Sequence, residues 1–204
     1  TIEKYNRLGV GWSSTIPYIF KDDSSGELVL NLFFNGNVYE LDQTGLEITG
    51  TVKSNILGYD LLDKIVTKDS ALAYSDFAAY PMTELQNDHG VTDQNTDRSM
   101  YLLTLKDNSK LWFRSDGRLM MQEDRTGLNE IWYFYDDDSK LKLVVDTIGR
   151  KIRFDYDIEG NLSKIEWDVN IAVKESDGTR ITVNTTRDVT YSYESAENHR
   201  YTDW

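Results

Sequence analysis

The chain contains no cysteine among its 204 residues, so disulfides and thiolate metal sites are excluded. It has only two prolines, against thirteen tyrosines and five tryptophans, a composition that leans towards β-structure. No apolar run approaches the roughly 18 residues that a membrane-spanning helix requires. Basic residues are outnumbered, 22 against 35 acidic ones, which leaves a net charge of −13. Such a surface repels phosphate backbones, so direct nucleic-acid binding is not expected. Two histidines are present, His89 and His199, and both lie in polar stretches that read as loops rather than as a base or ligand site. Neither a Gly-x-Ser-x-Gly nucleophile turn nor a phosphate loop occurs. Carboxylates are plentiful, but nothing in the pattern selects a general acid–base pair from them. The expectation is a protein without catalytic residues, cofactor or metal site. The chain begins at Thr1, with neither Met nor a signal-like segment, and is expected to be a processed product or a piece excised from a longer protein.

What is present favours β-structure. Thirteen tyrosines, seven phenylalanines and five tryptophans are residue types that fit pleated, half-buried surfaces. Within ELVLNLFFNGNVYEL, Asn35-Gly36 separates two strand-like runs, and both residues tolerate positive φ. The sequence thus predicts a hairpin of about 28–34 with 37–41. Residues 1–99 read as an entry region of β-structure. It carries one candidate short helix near 70–80, where Ala71, Tyr74, Phe77 and Ala78 share a face ahead of Pro81. A polar stretch without periodicity, 85–99, reads as a long surface loop. Residues 100–204 read as a hairpin region that continues the first as one sheet.

Repetition governs the second half. Residues from Tyr101 repeat the Asn35-Gly36 hairpin at an offset of 72 residues. A shorter unit then recurs as FRSDGRL from Phe113, YDDDSKL from Tyr135 and YDIEGNL from Tyr156, spaced by 22 and 21 residues. Leu119, Leu141 and Leu162 keep step, as do Asp124/Gly127 and Asp146/Gly149. An alternating strand precedes each Tyr: Ile131, Tyr133, Tyr135, then Ile152, Phe154, Tyr156. Val189, Tyr191 and Tyr193 repeat that strand after an insertion of about 16 residues. A fixed period decides a fold more strongly than local propensity does. Each unit is expected to run strand, turn, strand, turn. Its Tyr should sit on the core face, and its Asp carboxylate should accept backbone N–H groups. Gly117 and Gly160 should supply positive φ. Ser139 replaces that glycine in the middle copy, so its turn should differ or be strained. The fold class is therefore all-β: antiparallel strand-turn-strand repeats in a twisted, extended sheet.

The stretch DTIGRKIRFDYDIEGNL, from Asp146 to Leu162, resembles the YD repeat of the RHS protein family, roughly D-x-x-G-R-x-I-x-F-x-Y-D-x-x-G-N-L. The earlier LGVGWSSTIPYIF resembles the segment that introduces the repeat array in bacterial RHS and wall-associated proteins. The resemblance covers most of 7–45 and 100–168, together with 189–194. It weakens at Ser139, at Phe113-Arg114 in place of Tyr-Asp, and at Trp167 where the next Asp would stand. The resemblance implies a β-ribbon spiralling into a hollow shell, part of a bacterial secreted or cell-surface protein. It also implies further RHS repeats and an enclosed C-terminal toxin domain as partners. No catalytic residue of the family falls on these positions.

Several rival readings follow from particular residues. Asp155, Asp157, Glu159, Gly160 and Glu166 take positions 1, 3, 5, 6 and 12 of a calcium loop. Such a loop needs flanking helices, whereas RKIRFDY has the period of a strand, and the aligned copies lack the ligand set. Asp136, Asp137 and Asp138 are candidates for loose calcium contact. Trp12, Trp112, Trp132, Trp167 and Trp204 could line a sugar-binding face, although strand aromatics more often serve as core or cross-strand partners. Ile131 to Tyr135 is bulky on both faces, so both should be covered, or one should line a cavity. The alternative to a shell segment is thus a module binding carbohydrate or a cell-surface partner. A third reading is an acidic nuclease inhibitor. The repeat reading also places Ile152, Phe154 and Tyr156 in the core, puts Tyr135 and Tyr156 in equivalent places, and leaves an open sheet edge prone to pairing with another copy.

Overall fold

A computed structural model of the chain describes residues 15–22, 29–41, 99–105 and 107–193. Those residues are all-β and antiparallel, with no helix among them. The candidate helix near 70–80 and the loop at 85–98 lie outside the described residues. Three strands, β1 (Tyr18–Asp22), β2 (Val29–Phe34) and β3 (Asn37–Leu41), form one sheet in sequence order. The β2–β3 turn is the expected one, with Asn35 at φ 51° and Gly36 at φ 79°. A second sheet holds β4 (Ser99–Thr104), β5 (Lys110–Arg114), β6 (Leu119–Glu123), β7 (Glu130–Tyr135), β8 (Leu141–Asp146), β9 (Lys151–Tyr156), β10 (Leu162–Lys174) and β11 (Arg180–Thr190). Each of these strands pairs with its neighbour in sequence, so the eight-stranded sheet is an open meander.

The single continuous sheet expected across 1–99 and 100–204 is therefore two sheets among the described residues. They are joined by an isolated antiparallel bridge between Tyr18 and Arg118. There the Ile19 N–H donates to the Gly117 carbonyl at 2.8 Å. The small sheet thus lies over the larger one, rather than extending it, and supplies a second layer for a core.

Period-two alternation sorts the side chains of the large sheet. On one face Ile19, Leu32 and Phe34 of the small sheet pack with Leu103, Leu111, Phe113, Leu119, Tyr133, Tyr135 and Leu141. On the other face Met120, Met121, Trp132, Phe134, Leu143 and Val145 form a second buried cluster. Strand β7 is therefore buried on both faces, as its unbroken bulk implied.

Burial fades beyond β8. Phe154 packs against the first core and Tyr156 is half-buried, but Ile152 is 40% exposed. The expectation that all three face the core is thus corrected at Ile152. Its cross-strand neighbours are Val144 and Trp167, both only partly buried. The first core draws on β4 to β8 and reaches β9 only through Phe154.

One turn design joins six of the seven neighbouring strand pairs of the large sheet, whereas in the β6–β7 turn the Asp124 N–H donates to the Asn129 carbonyl, five places on. The first turn residue accepts from the N–H three places on and donates its own N–H four places on, as between Asp157, Gly160 and Asn161 at 3.0 and 2.8 Å. This is a type I turn closed by a residue in the left-handed region. In the middle copy Ser139 takes that position at φ 70°, with the same hydrogen bonds as its neighbours. The turn does not differ, so Ser139 stands in a conformation that disfavours a Cβ. Replacing it removes that cost, but adds the entropy of a more mobile unfolded glycine. We expect Ser139→Gly to stabilise the chain by up to about 1 kcal/mol. The urea midpoint should rise with an unchanged slope; an unchanged or lower midpoint would refute the strain.

Candidate functional site: the repeated tyrosine hairpin

The repeat is visible as register. Phe113 pairs with Leu119, Tyr135 with Leu141, and Tyr156 with Leu162. In each case the ladder then slips by one residue. Trp112 pairs with Met121, Phe134 with Leu143, and Asp155 with Lys164. Met120, Lys142 and Ser163 are thus equivalent bulge residues, and each bulge adds local twist.

The tyrosines tie one unit to the one before it. Tyr135 Oη donates to the Leu119 carbonyl at 2.9 Å, and Tyr156 Oη donates to the Leu141 carbonyl at 2.8 Å. Tyr193 Oη donates to the Leu162 carbonyl at 2.7 Å, which continues the series across the inserted 16 residues. These carbonyls lie beside bulges, where the ladder leaves backbone groups to find other partners. Phe113 heads the series without a hydroxyl. The Tyr135 and Tyr156 rings also each meet a cation from the preceding turn: Arg118 lies 4.9 Å from the Tyr135 ring centre, and Lys140 5.4 Å from that of Tyr156.

Burial pushes the Tyr156 phenol well above its ordinary value, and the charges of Asp136 and Asp155 push it further. Burial alone raises Tyr133 to about 12. Both hydroxyls therefore keep their protons at neutral pH, and Tyr156 keeps its donor role. Tyr156→Phe should cost about 1–2 kcal/mol, because the Leu141 carbonyl loses its donor while the ring stays in place. A chemical denaturation series comparing it with wild type checks this, and no change would mean that water replaces the hydroxyl.

The turn carboxylates do what the spacing implied. Asp157 Oδ1 accepts from the Asn161 N–H at 2.7 Å, Asp136 from Lys140 at 2.8 Å, and Asp146 from Arg150 at 2.9 Å. The calcium-like residues are spread along this same strand–turn–strand. Asp155 lies on β9 opposite Lys164, and Glu166 on β10 contacts Arg153 and Lys164 at 3.4 and 2.7 Å. No helix flanks them. Among the described residues no three His, Cys, Asp or Glu side chains converge as metal ligands would.

Among the described residues the tryptophans do not form one surface. Trp132 is buried, Trp112 packs beside it, and Trp167 is half-buried on β10. Trp12, Trp204, His89 and His199 lie outside the described residues. Beyond β8 the second face changes character. Where Leu143 and Val145 are apolar, Arg153 instead bridges Asp168 at 2.9 Å, and Asp168 also accepts the Lys151 N–H at 3.0 Å. Sequence reading missed the tyrosine-to-carbonyl bonds, although the 15- and 16-residue steps back to each Leu were a usable signal.

Fold and site together define an antiparallel hairpin-repeat sheet, in which each unit is anchored to the last through a tyrosine. No family model, curated protein or solved structure matches the chain. Among the described residues no helix is long and apolar enough to cross a membrane.

Proposed function

We propose that this chain is a non-catalytic structural segment of an RHS/YD-repeat β-shell, one that in a parent bacterial secreted or cell-surface protein encloses a C-terminal toxin or effector. The observation that supports this reading most is the shared register at Tyr135 and Tyr156. Each pairs with the Leu six residues on, each is followed by a bulge, and each reaches back to the preceding Leu carbonyl. A unit bonded to its neighbour on both sides propagates as a ribbon, and ribbons of this kind make extended walls. The side chains of the site are engaged with backbone groups of neighbouring units and turns, which suits enclosure rather than chemistry.

Protease protection in the natural full-length product tests the reading. A shell should keep its C-terminal domain intact under digestion that degrades the same domain expressed alone. Equal cleavage rates for the two would reject enclosure. Further repeats of this kind should follow in the parent sequence, and a parent without them would reject the shell.

A further inference from the structure

The β10–β11 hairpin breaks the rhythm of the repeats. Strands β5 to β9 have five or six residues, whereas β10 has thirteen and β11 eleven. β9 accompanies β10 only as far as the pair of Ile152 with Trp167. From Val169 to Lys174 the hairpin stands free of β9, for roughly 20 Å at about 3.3 Å per residue. Insertions in repeat arrays concentrate on binding faces. Where this arm leaves the sheet, the β8–β9 turn rises beside it, and the two border an open notch of about 360 Å³. That size falls within the range of small-molecule sites.

The notch has a particular chemistry. Asp168 and Thr186 form one cross-strand pair along its wall, and Asn170 and Asn184 form the next. Asp168 is fixed by Arg153 and the Lys151 N–H. Opposite, Arg150 is held by the Asp146 carboxylate at 2.6 Å, and Ile148, 72% exposed, offers an apolar surface. The side chains of Asn170, Asn184 and Thr186 make no hydrogen bond among the described residues and are exposed. Each amide both donates and accepts, and the threonine hydroxyl does the same. The formal charges, Arg150 and Asp168, cancel. Paired donors and acceptors along one face of a hairpin suit vicinal hydroxyls, and a lone apolar residue suits the C–H face of a sugar ring better than a peptide side chain.

We propose that this notch binds a neutral glycan, with Asn170, Asn184 and Thr186 as the recognising side chains. The site stands independently of the shell reading, since it belongs to the arm that departs from the repeat. The test places the full 204-residue chain on an array of neutral glucose, galactose, mannose and N-acetylglucosamine oligosaccharides alongside sialylated and sulfated ones. The strongest neutral hit is then titrated by calorimetry. Retention of neutral glycans is expected, with affinity at least ten-fold weaker in the Asn170→Ala/Asn184→Ala double variant and weaker also in Thr186→Ala. All three positions are exposed, so melting temperatures should not change. Retention of no neutral glycan, retention of acidic glycans alone, or full binding by the double variant would each overturn the assignment. So would loss on Trp167→Ala with the asparagine variants unaffected, because that would place the sugar on an aromatic surface instead.

Discussion

Gly117→Ala is expected to be among the most damaging single-methyl additions in the described residues, costing about 4 kcal/mol or more and lowering the melting temperature by roughly 10 °C. A Cβ at Gly117 would overlap the Ile19 carbonyl oxygen and stand 2.7 Å from its carbon. Both obstacles are backbone, so no rotamer change relieves them. Either β1 lifts away or the β5–β6 turn opens. If β1 lifts, the Ile19 N–H loses the Gly117 carbonyl, and the bridge between Tyr18 and Arg118 is lost with it. Tyr18, Ile19 and Phe20, each at most 5% exposed, would then lose part of their cover.

A control separates this clash from backbone strain. Gly149 has a similar φ, 82° against 88°, but a Cβ there would meet nothing within 4 Å. Gly149→Ala should therefore cost only the left-handed penalty, about 1–2 kcal/mol. Thermal unfolding of the two variants, followed by circular dichroism, makes the comparison. Equal losses would show that the close approach of β1 contributes nothing.

The contrast marks what could be read in the sequence. Both glycines close the same kind of turn at positive φ, and the repeat predicts that φ for Gly117. The repeat cannot say which of them another strand crosses. Ile19 lies nearly a hundred positions away, in a segment that does not share the period. The hairpin at Asn35-Gly36, the three aromatic–Leu units headed by Phe113, Tyr135 and Tyr156, and the turn role of the Asp residues were legible because each is a short-range pattern. The division into two sheets was not, because it depends on that one long-range crossing. Ile152 was misplaced for a related reason. Alternation fixes which face a side chain occupies, but not how far a covering layer reaches. The notch was signalled only as an insertion between Trp167 and Val189. Its chemistry depends on cross-strand register, which sets Asn170 opposite Asn184.

Asp116→Asn should destabilise the chain by about 2–4 kcal/mol at pH 7, a loss that fades in acid. Asp116 sits between two guanidinium groups, with Arg114 at 3.2 Å and Arg118 bound through both Nε and Nη2. The arginine side chains are nearly buried, about 10% exposed, whereas that of Asp116 is 35% exposed. Removing the carboxylate charge leaves two cations close together with little water to screen them, which is why the expected loss exceeds that of a surface ion pair. Arg118 also covers the Tyr135 ring, so a displaced guanidinium disturbs the first anchored unit of the repeat. Burial pushes the Asp116 carboxyl up, but the Arg118 hydrogen bond and the Arg118 and Arg114 charges outweigh it and hold it below the usual 3.8. A carboxyl depressed on folding stabilises above its unfolded pKa and loses that contribution as pH falls through its folded one. The wild-type chain should therefore lose this contribution progressively below about pH 4, and the variant should not. Since a protonated Asp116 resembles Asn, the two stability curves should converge in acid. Urea unfolding from pH 7 down to pH 3 measures both. A constant gap across that range would mean that the substitution acts through packing rather than charge, and no gap at pH 7 would mean that the two arginines find their counter-charge elsewhere.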